Sequence, residues 1–124
     1  MSAMRNPLLS AAEYLEIERR AEYKSEFYAG RMFARAGASR EHNLISQSVG
    51  SALYLQLRAG PCETYTSDMR VLVDATGRYT YPDVVVVCEA PRFEDAGVYT
   101  LFNPTLLVEV LSPSTEAYDR GVKS

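Results

Sequence analysis

Tyr81-Pro82-Asp83-Val84-Val85-Val86-Val87-Cys88 and Leu106-Leu107-Val108-Glu109-Val110-Leu111 are the stretches on which the reading of this chain turns. Each is a short apolar run rich in β-branched residues, the composition of a buried strand. Each carries one carboxylate where such a strand should have none. Burying an isolated charge is costly, so buried acids are paired, hydrogen-bonded or bound to a cation. Two acids on neighbouring buried strands therefore suggest a metal site. The bland alternative is that Asp83 caps the strand entry and Glu109 pairs with Lys123 or an arginine.

Working outward, residues 62–74 alternate in character, Asp74-Ala75-Thr76-Gly77 is turn chemistry, and residues 78–88 return as the partner strand. Pro82 restricts the fully buried part of that strand to Asp83 onward. Four consecutive valines imply cover on both faces of the sheet. Upstream, Ser39 caps a helix from Arg40 to about Arg58, with Ile45, Val49, Ala52, Leu53 and Leu57 at helical spacing. Leu44, Tyr54 and Leu55 widen that face and predict a well-buried helix. Ser10 and Glu13 form a capping box for a first helix ending near Glu22. Residues 23–35 read as a β-hairpin turned by Gly30. Lys24 and Glu26 on its first strand are expected to make a solvated or cross-strand ion pair. Residues 89–103 read as a long surface connection, and a last helix is expected to begin after Ser112. The order from Ser39 is α-β-β-β-α, an α/β (α+β) arrangement with a mixed sheet, preceded by a helix and hairpin.

The 124 residues suit one domain, 1–124, with a single core. A formal net charge of −3 gives no general basic field, so any nucleic-acid contact needs local positive charge. Cys62 and Cys88, without a signal peptide, read as buried reduced thiols of a cytoplasmic protein. A zinc site built from them and His42 lacks ligand spacing. No apolar run is long enough to span a membrane. The last residues resemble a helix barely begun, which suggests C-terminal truncation or an element supplied by another subunit.

Oxygen ligands such as Asp83 and Glu109 suit Mg²⁺ or Mn²⁺. Here the sequence resembles a known family. Tyr81-Pro82-Asp83-Val84-Val85-Val86, then Asn103 to Thr115 with its Glu109-Val110-Leu111-Ser112-Pro113-Ser114-Thr115, then Asp119-Arg120-Gly121-Val122-Lys123, is similar to the Uma-type restriction-endonuclease-like proteins of the PD-(D/E)XK nuclease superfamily. Glu26 to Met32, Ala38 to Ile45 and Ser67 to Val71 resemble its N-terminal half. The resemblance implies a restriction-endonuclease-like core whose final strand is missing from this chain, a divalent cation (Mg²⁺ or Mn²⁺) and hydrolysis of DNA phosphodiesters. Asp83 matches the acid of the Pro-Asp element and Glu109 the acid of the second element, both as metal ligands. Leu111 stands where the lysine of (D/E)-x-K belongs, which makes Lys123 the candidate third catalytic residue. Glu26 and His42 match family positions, and Glu41 lies in the helix from which the superfamily often draws another acid. An open sheet edge further suggests a homodimer. The alternative function is a non-catalytic nuclease-like module that binds DNA or a protein.

Overall fold

The computed structural model describes residues 8–35, 37–94 and 99–111. The elements run α1 (Ala11–Arg20), β1 (Ser25–Tyr28), β2 (Arg31–Ala34), α2 (Arg40–Leu57), β3 (Glu63–Tyr65), β4 (Arg70–Val73), β5 (Arg78–Thr80), β6 (Val84–Val87), β7 (Thr100–Leu101) and β8 (Leu106–Val108). This is a mixed α+β architecture. The capping box forms as expected: Ser10 Oγ accepts from the Glu13 amide at 3.1 Å, and Glu13 Oε1 accepts from the Ser10 amide at 2.8 Å. Helix α1 stops at Arg20, two residues short of the expected end. The β1–β2 hairpin turns through Ala29 and Gly30, both at positive φ (54° and 82°). Glycine is required at 30 for a second reason: Leu8 Cβ lies only 2.8 Å from where a Cβ would stand.

The expected hairpin about Asp74–Gly77 is present, but each of its arms is split. β4 and β5 pair around the turn and belong to a five-stranded sheet, ordered β2-β1-β5-β4-β7. β3 and β6 pair further out and belong to a three-stranded sheet, ordered β3-β6-β8. Val71 pairs with Thr80 and Tyr65 with Val85, so residues 66–70 on one arm face the shorter stretch 81–84 on the other. The extra residue lies on the 66–70 arm, and ladder pairing is lost across from it at Tyr81-Pro82-Asp83, where Pro82 has no amide to offer.

Two apolar clusters fill the interior. Val71, Val85, Val87 and Leu101 form one; Tyr14, Phe27 and Tyr79 form the other. Tyr14 is fully buried, stacks on Phe27 with centroids 4.8 Å apart, and donates its hydroxyl to the Ser25 carbonyl at 2.6 Å.

Three expectations fail here. The connection 89–103 is not all surface, because Thr100 and Leu101 are fully buried and pair in parallel with β4. Helix α2 is not well buried: none of its residues reaches full burial, and Leu44, Ile45, Tyr54 and Leu55 are exposed. Its apolar residues surround the helix, and among the described residues the elements that pack on it are β3 and β6. The cysteines are not free thiols. Cys62 and Cys88, next to the paired Glu63 and Val87, are joined in a disulfide. The expected last helix lies outside the described residues, and so does Lys123.

Truncating Tyr14 to alanine removes a buried aromatic and should cost about 3–5 kcal/mol. Tyr14→Phe removes only the hydroxyl bond and should cost about 1 kcal/mol. Denaturant titration checks both, and equal losses would refute the packing account. Replacing both cysteines by alanine should cost about 2–4 kcal/mol, the range for a closed loop of this kind. A thiol titration of the unreduced protein should find no reactive cysteine.

Candidate metal and catalytic site

Asp83 stands at the break between the two sheets and is buried. Its Oδ1 lies 2.8 Å from His42 Nε2, and its Oδ2 accepts the Val110 amide at 2.7 Å. The His42 side chain is only 13% exposed and that of Asp83 6%, so this contact is largely shielded from water. His42 reaches it because Ser39 caps α2, its Oγ accepting the His42 amide at 3.1 Å. The aspartate thus ties the start of α2 and the exit of β8 to the start of β6.

Glu109 directly follows β8. β6 and β8 are antiparallel with Val84 opposite Val108, so Asp83 just before β6 and Glu109 just after β8 lie at the same end of the pair, beyond its last ladder residues. The residue is exposed by surface area, yet its carboxyl is pushed up to about 7. Desolvation by the surrounding protein is the largest cause, followed by the charges of Asp83 and Glu26; Arg35 and Arg78 oppose the shift.

Glu26 arrives from β1. It accepts from Arg78 Nη2 at 3.2 Å and from Thr80 Oγ1 at 2.8 Å. The cross-strand ion pair expected here is made between Glu26 and Arg78 of β5, and Lys24 pairs with the exposed Asp68 at 2.8 Å. Glu41 is exposed in the first turn of α2 and takes no part in the contacts that join His42, Asp83, Glu109 and Glu26. Leu111, at the usual lysine position, is 51% exposed.

The structure adds Arg35, Arg78 and Thr80 to this neighbourhood. Arg78 and Thr80 alternate on β5 beside Glu26, a period-two signal readable once β1 and β5 are known to pair. Arg35 lies over the Tyr81 ring, 5.7 Å from its centroid. Among the described residues, no three His, Cys, Asp or Glu side chains are grouped closely enough to cage a metal ion. Asp83 and Glu109 are the pair that could share one. That number of protein ligands suits Mg²⁺, which commonly uses one or two carboxylates and keeps several waters.

The raised Glu109 carboxyl has a consequence for stability. Its folded value, about 7, lies above its ordinary 4.5, so the folded state holds the proton more tightly. That contribution is complete below the ordinary value and is lost as pH rises through the folded one. Metal-free protein should therefore weaken between pH 4.5 and 7, and Glu109→Gln should remove part of that decline. Denaturation at points across the range checks this, and parallel pH profiles for the two proteins would refute it.

Residues 11–124 match the family model Uma2, described as "Putative restriction endonuclease". Two Synechocystis proteins described as uncharacterized, slr1290 and sll1609, are 43% and 40% identical over 94% of this chain. The chain spans 60% and 66% of their lengths. A crystal structure from Anabaena variabilis, described as a "putative nuclease belonging to DUF820", superposes with a TM-score of 0.65 at 17% identity, covering 90% of this chain and 65% of that one. That likeness shows a shared fold. With the family model spanning all but the first ten residues, this chain belongs to the Uma2 family.

Proposed function

We propose that this chain forms the core of a metal-dependent nuclease that hydrolyses phosphodiester bonds in DNA. The observation that carries the reading is that Asp83 and Glu109 lie at the same end of the β6–β8 pair, where burial and the charges of Asp83 and Glu26 raise the Glu109 carboxyl. A bound Mg²⁺ or Mn²⁺ supplies a more acidic water and neutralises charge developing on the phosphate. The protein's own part is positional. His42 and the Val110 amide fix Asp83, so one ligand is held before any cation arrives. Glu109 is the adjustable ligand, since an incoming cation competes with its proton. Arg35 and Arg78 put positive charge beside the acids, where a phosphate would be drawn.

Lys123 remains the proposed third catalytic residue, because Leu111 has no charge to offer the attacking water. The same substitution favours the second reading, a nuclease-like module that binds without cutting. Among the described residues no helix is long and apolar enough to cross a membrane. A cytoplasmic location belongs to the proposal, and the Cys62–Cys88 bond is the observation that pulls against it. A homodimer belongs to it too, β8 being a sheet edge among the described residues.

Calorimetric titration with Mn²⁺ should show binding that is lost in Asp83→Ala and Glu109→Ala. His42→Ala should weaken it by about 10–100-fold, as expected of a group that orients a ligand. Unchanged binding in the two acid variants would remove the site. In a DNA cleavage assay those variants and Lys123→Ala should lose activity by about a thousandfold, the scale of several kcal/mol of lost charge stabilisation. Metal binding with no cleavage of any DNA form would favour the non-catalytic module.

A further inference from the structure

A groove of about 560 Å³ runs between α2 and β3 and has Asp83 in its wall, so it opens beside the candidate site. Its size falls within the roughly 300–1,000 Å³ typical of small-ligand sites. Asp83 is its one charged lining residue among those described. The rest of its polar surface is hydroxyl and amide. Asn43 and Gln47 stand one helical turn apart along it, with Thr64 from β3 across from them. Ser46 Oγ in the same wall is buried and has no hydrogen-bond partner among the described residues. Tyr54, 53% exposed, supplies an aromatic ring at the helix side.

The described lining of this groove holds no cationic side chain to draw a phosphate, and its one charge, Asp83, would repel it. Uncharged donors and acceptors beside an aromatic ring suit a planar, polar, neutral group. Amide side chains can pair with a base edge through a donor and an acceptor together. Unstacked bases also settle on tyrosine rings.

Gly50 points the same way. Glycine inside a helix destabilises it relative to alanine. Nothing in the backbone requires it: Gly50 has no positive φ, and a Cβ would meet only Val84 Cγ2 at an ordinary 3.6 Å. Its effect is to leave the groove open where α2 passes over β6.

We propose that this groove holds one unpaired nucleobase, next to the phosphodiester presented at Asp83 and Glu109. The inference rests on the nuclease reading and narrows it. The preferred substrate is single-stranded DNA, or a nucleotide extruded from a duplex, rather than a fully paired duplex.

The test uses a short fluorescein-labelled single-stranded DNA, read by anisotropy in Ca²⁺, with an unlabelled duplex of the same sequence as competitor. Gln47→Ala removes an amide, and Gly50→Leu fills the groove without touching its polar groups. Each should weaken single-strand binding by about tenfold or more, the lower end for a lost base-edge pair. The duplex should compete poorly. Gly50→Ala, which fits the space, serves as the folding control; should Gly50→Leu not fold, Gln47→Ala decides alone. Variants within about twofold of wild type, or a wild type that binds no single strand, overturn the inference. Mn²⁺ titration of the same proteins reports separately on the nuclease reading. Groove-dependent DNA binding without Mn²⁺ binding would sink the metal site and keep the groove. Cleavage that ignores both groove variants would do the reverse.

Discussion

The buried carboxylate of Asp83 is the constraint on which the rest of the structure depends. A charge this shielded is stable only when its oxygens are occupied. One is occupied by His42 from α2, the other by the Val110 amide beyond β8. Three elements distant in sequence must therefore arrive together before Asp83 can be buried. The requirement also explains the rigidity of the first ligand in the proposed site: the contacts that fold the chain are the contacts that orient the carboxylate.

Tyr81 applies the same logic on the other side of Pro82. Its hydroxyl donates to Glu18 Oε2 at 2.6 Å, and burial pushes its own ionisation up to about 12. Glu18 also accepts the Ser25 amide at 2.9 Å, which binds α1 to the start of β1. Arg70 Nη1 reaches the Tyr81 hydroxyl at 3.1 Å. Lys24 and Arg35 lie over the Tyr81 ring, 5.9 and 5.7 Å from its centroid. The three residues from Tyr81 to Asp83 leave both sheet ladders, and side chains replace the lost backbone partners. The break in the long hairpin is thus a junction held by polar contacts, and it is where the candidate site forms.

Features set by local chemistry were legible in the sequence. The Ser10–Glu13 box, the Gly30 turn and the Asp74–Gly77 turn each depend on residues within a few positions, and each formed. Features set by pairing at a distance were not. The split of each hairpin arm follows from one extra residue opposite Tyr81–Asp83, which no periodicity reveals. The short strand β7 hid in a stretch with proline, glycine and charges, and only its parallel neighbour β4 makes it a strand. Helix α2 carries apolar residues on more than one side, and apolar content does not reveal how many sides a neighbour covers. The disulfide does follow from a local signal: Cys62 and Cys88 stand at the open ends of the hairpin that the Asp74–Gly77 turn closes. The placement of Asp83 and Glu109 at one end of the β6–β8 pair needed the register of those strands.

The charges around that pair set an order of events under the nuclease reading. Asp83, Glu109 and Glu26 face Arg35 and Arg78, and the whole chain is acidic at −3. A DNA phosphate approaching ionised acids meets repulsion that two partly screened arginines offset only in part. Holding a proton on Glu109 near neutral pH lowers that repulsion but removes a ligand. A divalent cation held by Asp83 and Glu109 would relieve both difficulties, because it would compete with the proton and add positive charge beside the acids. Under that reading, the same burial among acids that raises the Glu109 carboxyl would favour a cation there ahead of a phosphate.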